Sequence, residues 1–111
     1  MEIFRYEKDI EKKEVLDGVL GQYLGSGENM NVMHWNFRDN MQLPEHSHAS
    51  EQFGYIIKGG FEVTIDGRTA VLKAGDAYFV PANALHSFVS VGETEAIDVF
   101  SPVRQIPGTE D

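Results

Sequence analysis

The chain has 111 residues, of which 41% are hydrophobic and 24% charged, a length for one domain and a balance that excludes wholesale disorder. Eighteen Asp and Glu against nine Lys and Arg leave a net charge of −9, which excludes attraction to phosphate backbones or anionic membranes by field alone. With no cysteine, disulfides, thiolate metal sites and cysteine nucleophiles are excluded together.

Residues 7–14, Glu-Lys-Asp-Ile-Glu-Lys-Lys-Glu, carry a single Ile and read as a solvated arm or short helical turn, part of a charged arm expected over 1–17. The N-terminus lacks the apolar stretch of a signal peptide, so the expected location is the cytoplasm. From Val19 the texture changes. Apolar-rich runs at 19–24, 30–37, 52–58, 61–65, 69–72, 77–80, 86–91 and 95–100 alternate with clusters of Gly, Pro, Asn and Asp. No sustained helical period follows Gly18, and short runs so punctuated predict an all-β sandwich or barrel. Asp66-Gly67 predicts a tight hairpin between 61–65 and 69–72, because that pair tolerates the positive φ of a primed turn. The tail, 103–111, is expected to finish irregularly.

Four histidines occur, at 34, 46, 48 and 86. His46 and His48 lie two apart beside a β run, and on an extended chain residues two apart share a face. Such a pair can offer two imidazoles to one metal ion, and His86, opening a later strand, can supply a third. For a fourth ligand the candidates are Gln52 and Glu51. Strand parity favours Gln52, which has the same parity as the histidines, with Glu51 held in reserve. His34 reads as a packed or surface histidine outside this group. Trp35, Phe53, Tyr55, Phe61, Tyr78, Phe79 and Phe88 read as packing residues, with Tyr55 or Tyr78 at the pocket rim.

The segment Pro44-Glu45-His46-Ser47-His48-Ala49-Ser50-Glu51-Gln52, running on to Gly59, resembles the first motif of the cupin family. Gly75-Asp76-Ala77-Tyr78-Phe79-Val80-Pro81-Ala82-Asn83-Ala84-Leu85-His86 resembles the second, with Asn83 where a glycine is usual. Asn40 likewise stands where a glycine precedes the first motif. Asn is the next-best residue for a left-handed turn, so both replacements are tolerated. The resemblance implies a single jelly-roll β-barrel over 18–102 with a metal in its lumen. Together with Asp98-Val99-Phe100-Ser101-Pro102 and Arg104, these motifs are similar to those of the pectin-degradation cupins that linearise 4,5-unsaturated uronates. That likeness implies that His46, His48, Gln52 and His86 hold one divalent metal, and three imidazoles with an amide accept nickel, zinc, iron, manganese or copper alike. It also implies that Asp98, Phe100 and Arg104 form the substrate end of the pocket, and that the chain forms a homodimer acting on a small acidic sugar.

The residues suit that chemistry on their own terms. If Ile97 and Val99 pack between sheets, Asp98 and Phe100 face the lumen. A carboxylate there is costly unless it is paired or useful. Three imidazoles and an amide leave a bound ion its +2 charge, which suits a Lewis acid. Asp98 is then the candidate proton carrier, Arg104 the partner of a carboxylate, and Phe100 a wall against water. An iron-dependent cupin dioxygenase and a non-catalytic sensor of small acids are the competing expectations, and neither nucleic acid nor membrane is an expected partner.

Overall fold

The structure is a computed structural model that describes residues 2–106. Eight strands follow a single 3-10 turn at Glu7–Asp9: β1 (Lys12–Leu16), β2 (Val19–Ser26), β3 (Asn31–Phe37), β4 (Gln42–His46), β5 (Glu51–Ile65), β6 (Arg68–Lys73), β7 (Ala77–Val80) and β8 (His86–Ser101). Hydrogen bonds link them in the order β1-β2-β3-β8-β5-β6, with β4 added to β8 and β7 to β5. Every pairing is antiparallel. Among the described residues the terminal strands of this path, β1 and β6, do not pair with each other. The expected barrel is therefore a rolled sheet that hydrogen bonds do not close. No helix among the described residues is long and apolar enough to cross a membrane.

Two of the breaks expected from sequence are bends. Gly59-Gly60 and Gly92-Glu93-Thr94 read as turns, yet β5 and β8 each run straight through them. Gly59 and Gly92 adopt φ of +73° and +75°, a conformation that costs glycine nothing and lets a strand turn sharply without ending. The β5–β8 register shifts on either side of Lys58. Before the bend, β5 pairs with β7 and the end of β8; after it, β5 pairs with β6 and the start of β8. Each long strand thus belongs to two layers. One layer is β1, β2, β3, the second half of β8, the first half of β5 and β7. The other is β4, the first half of β8, the second half of β5 and β6.

The layers face each other across an aromatic core. Phe61 of the second layer packs edge-on against Phe37 of the first, 5.1 Å between centroids, and against Phe88 at 5.4 Å. Met33, Ile56, Val63, Val80 and Ala96 belong to the same buried cluster. Phe53, Tyr55 and Phe79 depart from the packing role expected of them. They lie on the outward face of the first layer and are about half exposed, because strand alternation turns them away from Gly54 and Tyr78. The expected charged arm is also shorter, since Lys12–Leu16 pairs with β2 and brings Val15 against the core. β4 was not anticipated. The Asp66-Gly67 hairpin is as predicted, with φ of +52° and +80°. Asn40 and Asn83 take the left-handed conformation expected of them, at +59° and +64°. Residues 103–106 form neither helix nor strand, and the remainder of the expected tail, 107–111, lies outside the described residues.

Candidate metal centre

The three clustered histidines come from three different places. His46 ends β4, His48 sits on the loop that follows, and His86 opens β8, paired across the ladder with His46. No strand covers 47–50, and His48 is tied down where the Asn83 amide donates to its carbonyl at 2.8 Å. The ring centroids lie 4.2 Å apart for His46 and His86, 4.7 Å for His48 and His86, and 5.8 Å for His46 and His48. One candidate ligand atom from each ring lies within 4.8 Å of the others.

All three rings share one hydrogen-bonding pattern. Nδ1 of His46, His48 and His86 donates to the backbone carbonyl of Pro44, Ser50 and Ala84 respectively, at 2.9, 2.8 and 2.9 Å. A proton committed to Nδ1 leaves a lone pair on Nε2 of the neutral ring, the arrangement that readies an imidazole for a metal. Nε2 of His86 is buried and has no hydrogen-bond partner among the described residues. Burial, ahead of repulsion from the other two rings and Arg104, holds His86 down to about 4, against an ordinary 6.5. His48 is lowered too, by burial first and then by Arg104. Both rings are free bases at neutral pH.

Gln52, the second residue of β5, is buried on the inner face, whereas Glu51 is exposed to solvent. The Gln52 side chain hydrogen-bonds Asp98, and only its NH2 end can donate to a carboxylate. Its Oε1 is thereby turned to His48, 3.2 Å from Nε2. Two lone pairs facing each other at that distance repel unless a cation lies between them. The orphaned nitrogen and this facing pair both fit a divalent ion, and the uncharged nitrogen and oxygen donors suit a first-row transition metal. Three histidines able to hold a metal ion are what the geometry establishes.

Beside the cluster lies a carboxyl group with an unusual number of donors. Asp98 is only 6% exposed. Tyr78 donates to its Oδ1 at 2.7 Å and Trp35 Nε1–H to its Oδ2 at 2.9 Å. Burial raises Asp98 from 3.8 to about 6, and the donors from Tyr78, Gln52 and Trp35, with the Arg104 charge, only partly offset it. Tyr78 is pushed well up by burial and by the adjacent carboxylate, so its hydroxyl stays protonated and donating.

Arg104 follows β8, its guanidinium 5.3 Å over the Phe100 ring. Burial draws it down and Asp98 draws it up. Its backbone is clamped on both sides by one buried residue: Asn31 Nδ2 donates to the Arg104 carbonyl and the Arg104 amide to Asn31 Oδ1, each at 2.8 Å. Phe100 stands edge-on to His48 at 5.7 Å. A cavity of about 320 Å³ has His46, Gln52, Tyr78, Asp98, Phe100 and Arg104 in its wall, a volume at the small end of ligand pockets.

All seven residues singled out from sequence thus lie in or beside one cavity. His34 lies elsewhere, with Nε2 2.6 Å from Glu95 Oε2. Three residues escaped sequence reasoning: Trp35, Tyr78 and Asn31. From sequence Trp35 and Tyr78 read as packing or rim, although a buried indole or phenol needs a partner for its polar end, and the nearest unpaired carboxylate is the available signal. Nothing local marks Asn31, whose partner lies 73 positions along the chain.

A two-layered rolled sheet with three inward histidines is the architecture of a cupin, and the chain belongs to that family, whose domain model matches residues 33–100. The pectin degradation protein KdgF of Dickeya dadantii is 33% identical over 94 residues, spanning 83% of this chain and 86% of that protein. Among solved structures, an RmlC-like cupin from Shewanella frigidimarina superposes with a TM-score of 0.89 at 31% identity, covering 95% of each chain. KdgF from a Halomonas species superposes at 0.88 with 25% identity, covering 95% of this chain and 97% of that one.

Proposed function

We propose that the protein is a metal-dependent isomerase that opens the ring of a 4,5-unsaturated uronate to give the linear 5-keto-4-deoxyuronate. The observation that carries this reading is a buried carboxyl and a guanidinium in the wall of the cavity that the histidine cluster borders. The similarity to two KdgF proteins, one of which is named for pectin degradation, supports it.

The conversion moves one proton and changes no oxidation state overall. Asp98 accepts the proton of the anomeric hydroxyl; that O–H pair becomes the C1 carbonyl as the C1–O5 bond breaks. The bond pair passes to O5, the resulting enolate becomes the C5 ketone, and Asp98 returns its proton to C4. A group that titrates near 6 can both take and give a proton close to neutrality. Arg104 pairs with the uronate carboxylate, held in place through Asn31. Phe100 covers the sugar and keeps water from the reacting carbons. His46, His48, His86 and Gln52 would hold the metal, which supplies Lewis-acid polarisation of a substrate oxygen.

The test is to follow the ultraviolet band of the unsaturated uronate with purified, metal-loaded protein under strict anaerobiosis. Disappearance of the band with formation of the linear keto acid is expected for the wild type, and an inert Asp98→Asn variant with its metal retained. A reaction that requires oxygen, or an Asp98→Asn variant with wild-type rate, refutes the assignment.

A further inference from the structure

On the inner face of the first layer three residues stand in one row: Tyr78 on β7, Gly54 on β5 and Asp98 on β8, with Gly54 directly opposite both neighbours. Two ladder steps separate the outer strands, about 10 Å. A side chain in the middle of such a row ordinarily keeps its neighbours apart. Here the middle position has none, and the Tyr78 ring lies over the bare backbone. A Cβ built at Gly54 would overlap the Tyr78 ring carbons and its hydroxyl. The φ of Gly54 is not among the positive ones, so backbone freedom does not require glycine at this position. Space does.

We infer that Tyr78, admitted across the sheet by Gly54, is a positioning residue that fixes the carboxyl plane of Asp98 toward the substrate, with Trp35 holding the opposite oxygen. Tyr78 Oη reaches Oδ1 at 2.7 Å and Trp35 Nε1 reaches Oδ2 at 2.9 Å. A donor on each oxygen, with Gln52 as a third, removes the freedom of the carboxyl to spin about its terminal bond, which is otherwise soft. The two donors come from opposite sides, Tyr78 from β7 and Trp35 from β3, on the two flanks of the β5–β8 pair. The one lone-pair site that these three donors leave free then points in a fixed direction. Proton transfer depends steeply on that direction, and misplacement of a reacting group by about 1 Å can cost a hundredfold.

The inference rests on Asp98 as the proton carrier of the proposed ring opening, and its test separates the two ideas. Tyr78→Phe keeps the ring and removes only the hydroxyl. Its kcat is expected to fall about ten- to a hundredfold, with KM and metal content at wild-type values; a merely structural role would move stability and leave kcat. Gly54→Ala is expected to lose a similar factor by expelling the ring, and to lose nothing further in a Tyr78→Ala background. If Asp98→Asn is inert while Tyr78→Phe keeps its kcat, the positioning role is overturned and the ring-opening reading stands. If the wild type turns over no unsaturated uronate, the ring-opening reading falls, and crystal structures judge the inference. An Asp98 carboxyl rotated in Tyr78→Phe and Gly54→Ala supports it; one unmoved in both overturns it.

Discussion

Asp98 is a buried acid whose burial outweighs its donors, and this has a measurable consequence for stability. Its folded value of about 6 lies above the ordinary 3.8, so the folded chain binds this proton more tightly than the unfolded chain does. Its contribution to stability is greatest below the ordinary value and is lost as pH rises through about 6. A difference near two pH units corresponds to about 3 kcal/mol in the limit, of which about 2 kcal/mol falls between roughly pH 4.5 and 7.5. His86 works in the opposite sense, because its lowered value makes the metal-free protein more stable as pH rises from about 4 toward 6.5. The wild type alone would therefore mix these opposing slopes with that of His48, which is also lowered. Comparing it with Asp98→Asn isolates the carboxyl, since His86 is common to both. Urea unfolding in the presence of a chelator is expected to show the wild type losing about 2 kcal/mol relative to the variant across that window. A relative stability that is flat, or that rises with pH, would falsify the reasoning, for it would mean that Tyr78, Trp35 and Gln52 stabilise the charge more than burial opposes it.

Three further outcomes follow from the geometry. His86→Ala is expected to reduce bound metal from about one ion per chain to near zero by elemental analysis, and to abolish the rise in Tm on adding metal. Asn31→Ala frees the backbone of Arg104 and is expected to raise KM for the uronate about tenfold with kcat little changed, since a charge-assisted pair is worth about 1.5–3 kcal/mol; an unchanged KM refutes the clamp. Phe61→Ala empties the junction of Phe37, Tyr78 and Phe88, and urea titration is expected to show a loss of about 3–5 kcal/mol.

Much of this was legible from residue types because the relevant physics is local. The Asp66-Gly67 hairpin and the left-handed Asn40 and Asn83 follow from which side chains tolerate positive φ. The inward placement of Gln52, Asp98 and Phe100 follows from the period of two along a strand. Where reasoning from sequence went astray, the deciding term was long-range. A glycine pair ends a strand when nothing else holds it, but Gly59-Gly60 is straddled by a partner strand on which the ladder resumes. The loop carrying His48 is held by a hydrogen bond from the Asn83 amide, a contact no local period encodes. The outward stance of Phe53, Tyr55 and Phe79 depends on which face of the sheet the core occupies. Lys12–Leu16 is a strand because β2 offers it an edge, against its own polar composition.

The continuity of β5 and β8 through their glycine bends also dictates the order in which the molecule can be built. Gln52 and Gly54 ride on one of these strands and His86, Asp98 and Phe100 on the other. Their pairing joins residues as far apart in the chain as Glu51 and Ser101. Closing loops of that length before any contact rewards it makes for slow folding, on the order of milliseconds to seconds. No fragment of the chain short of this central pair carries more than part of the site. Catalytic competence should then return on refolding together with protection of the β5 and β8 amides from hydrogen exchange, in one kinetic phase.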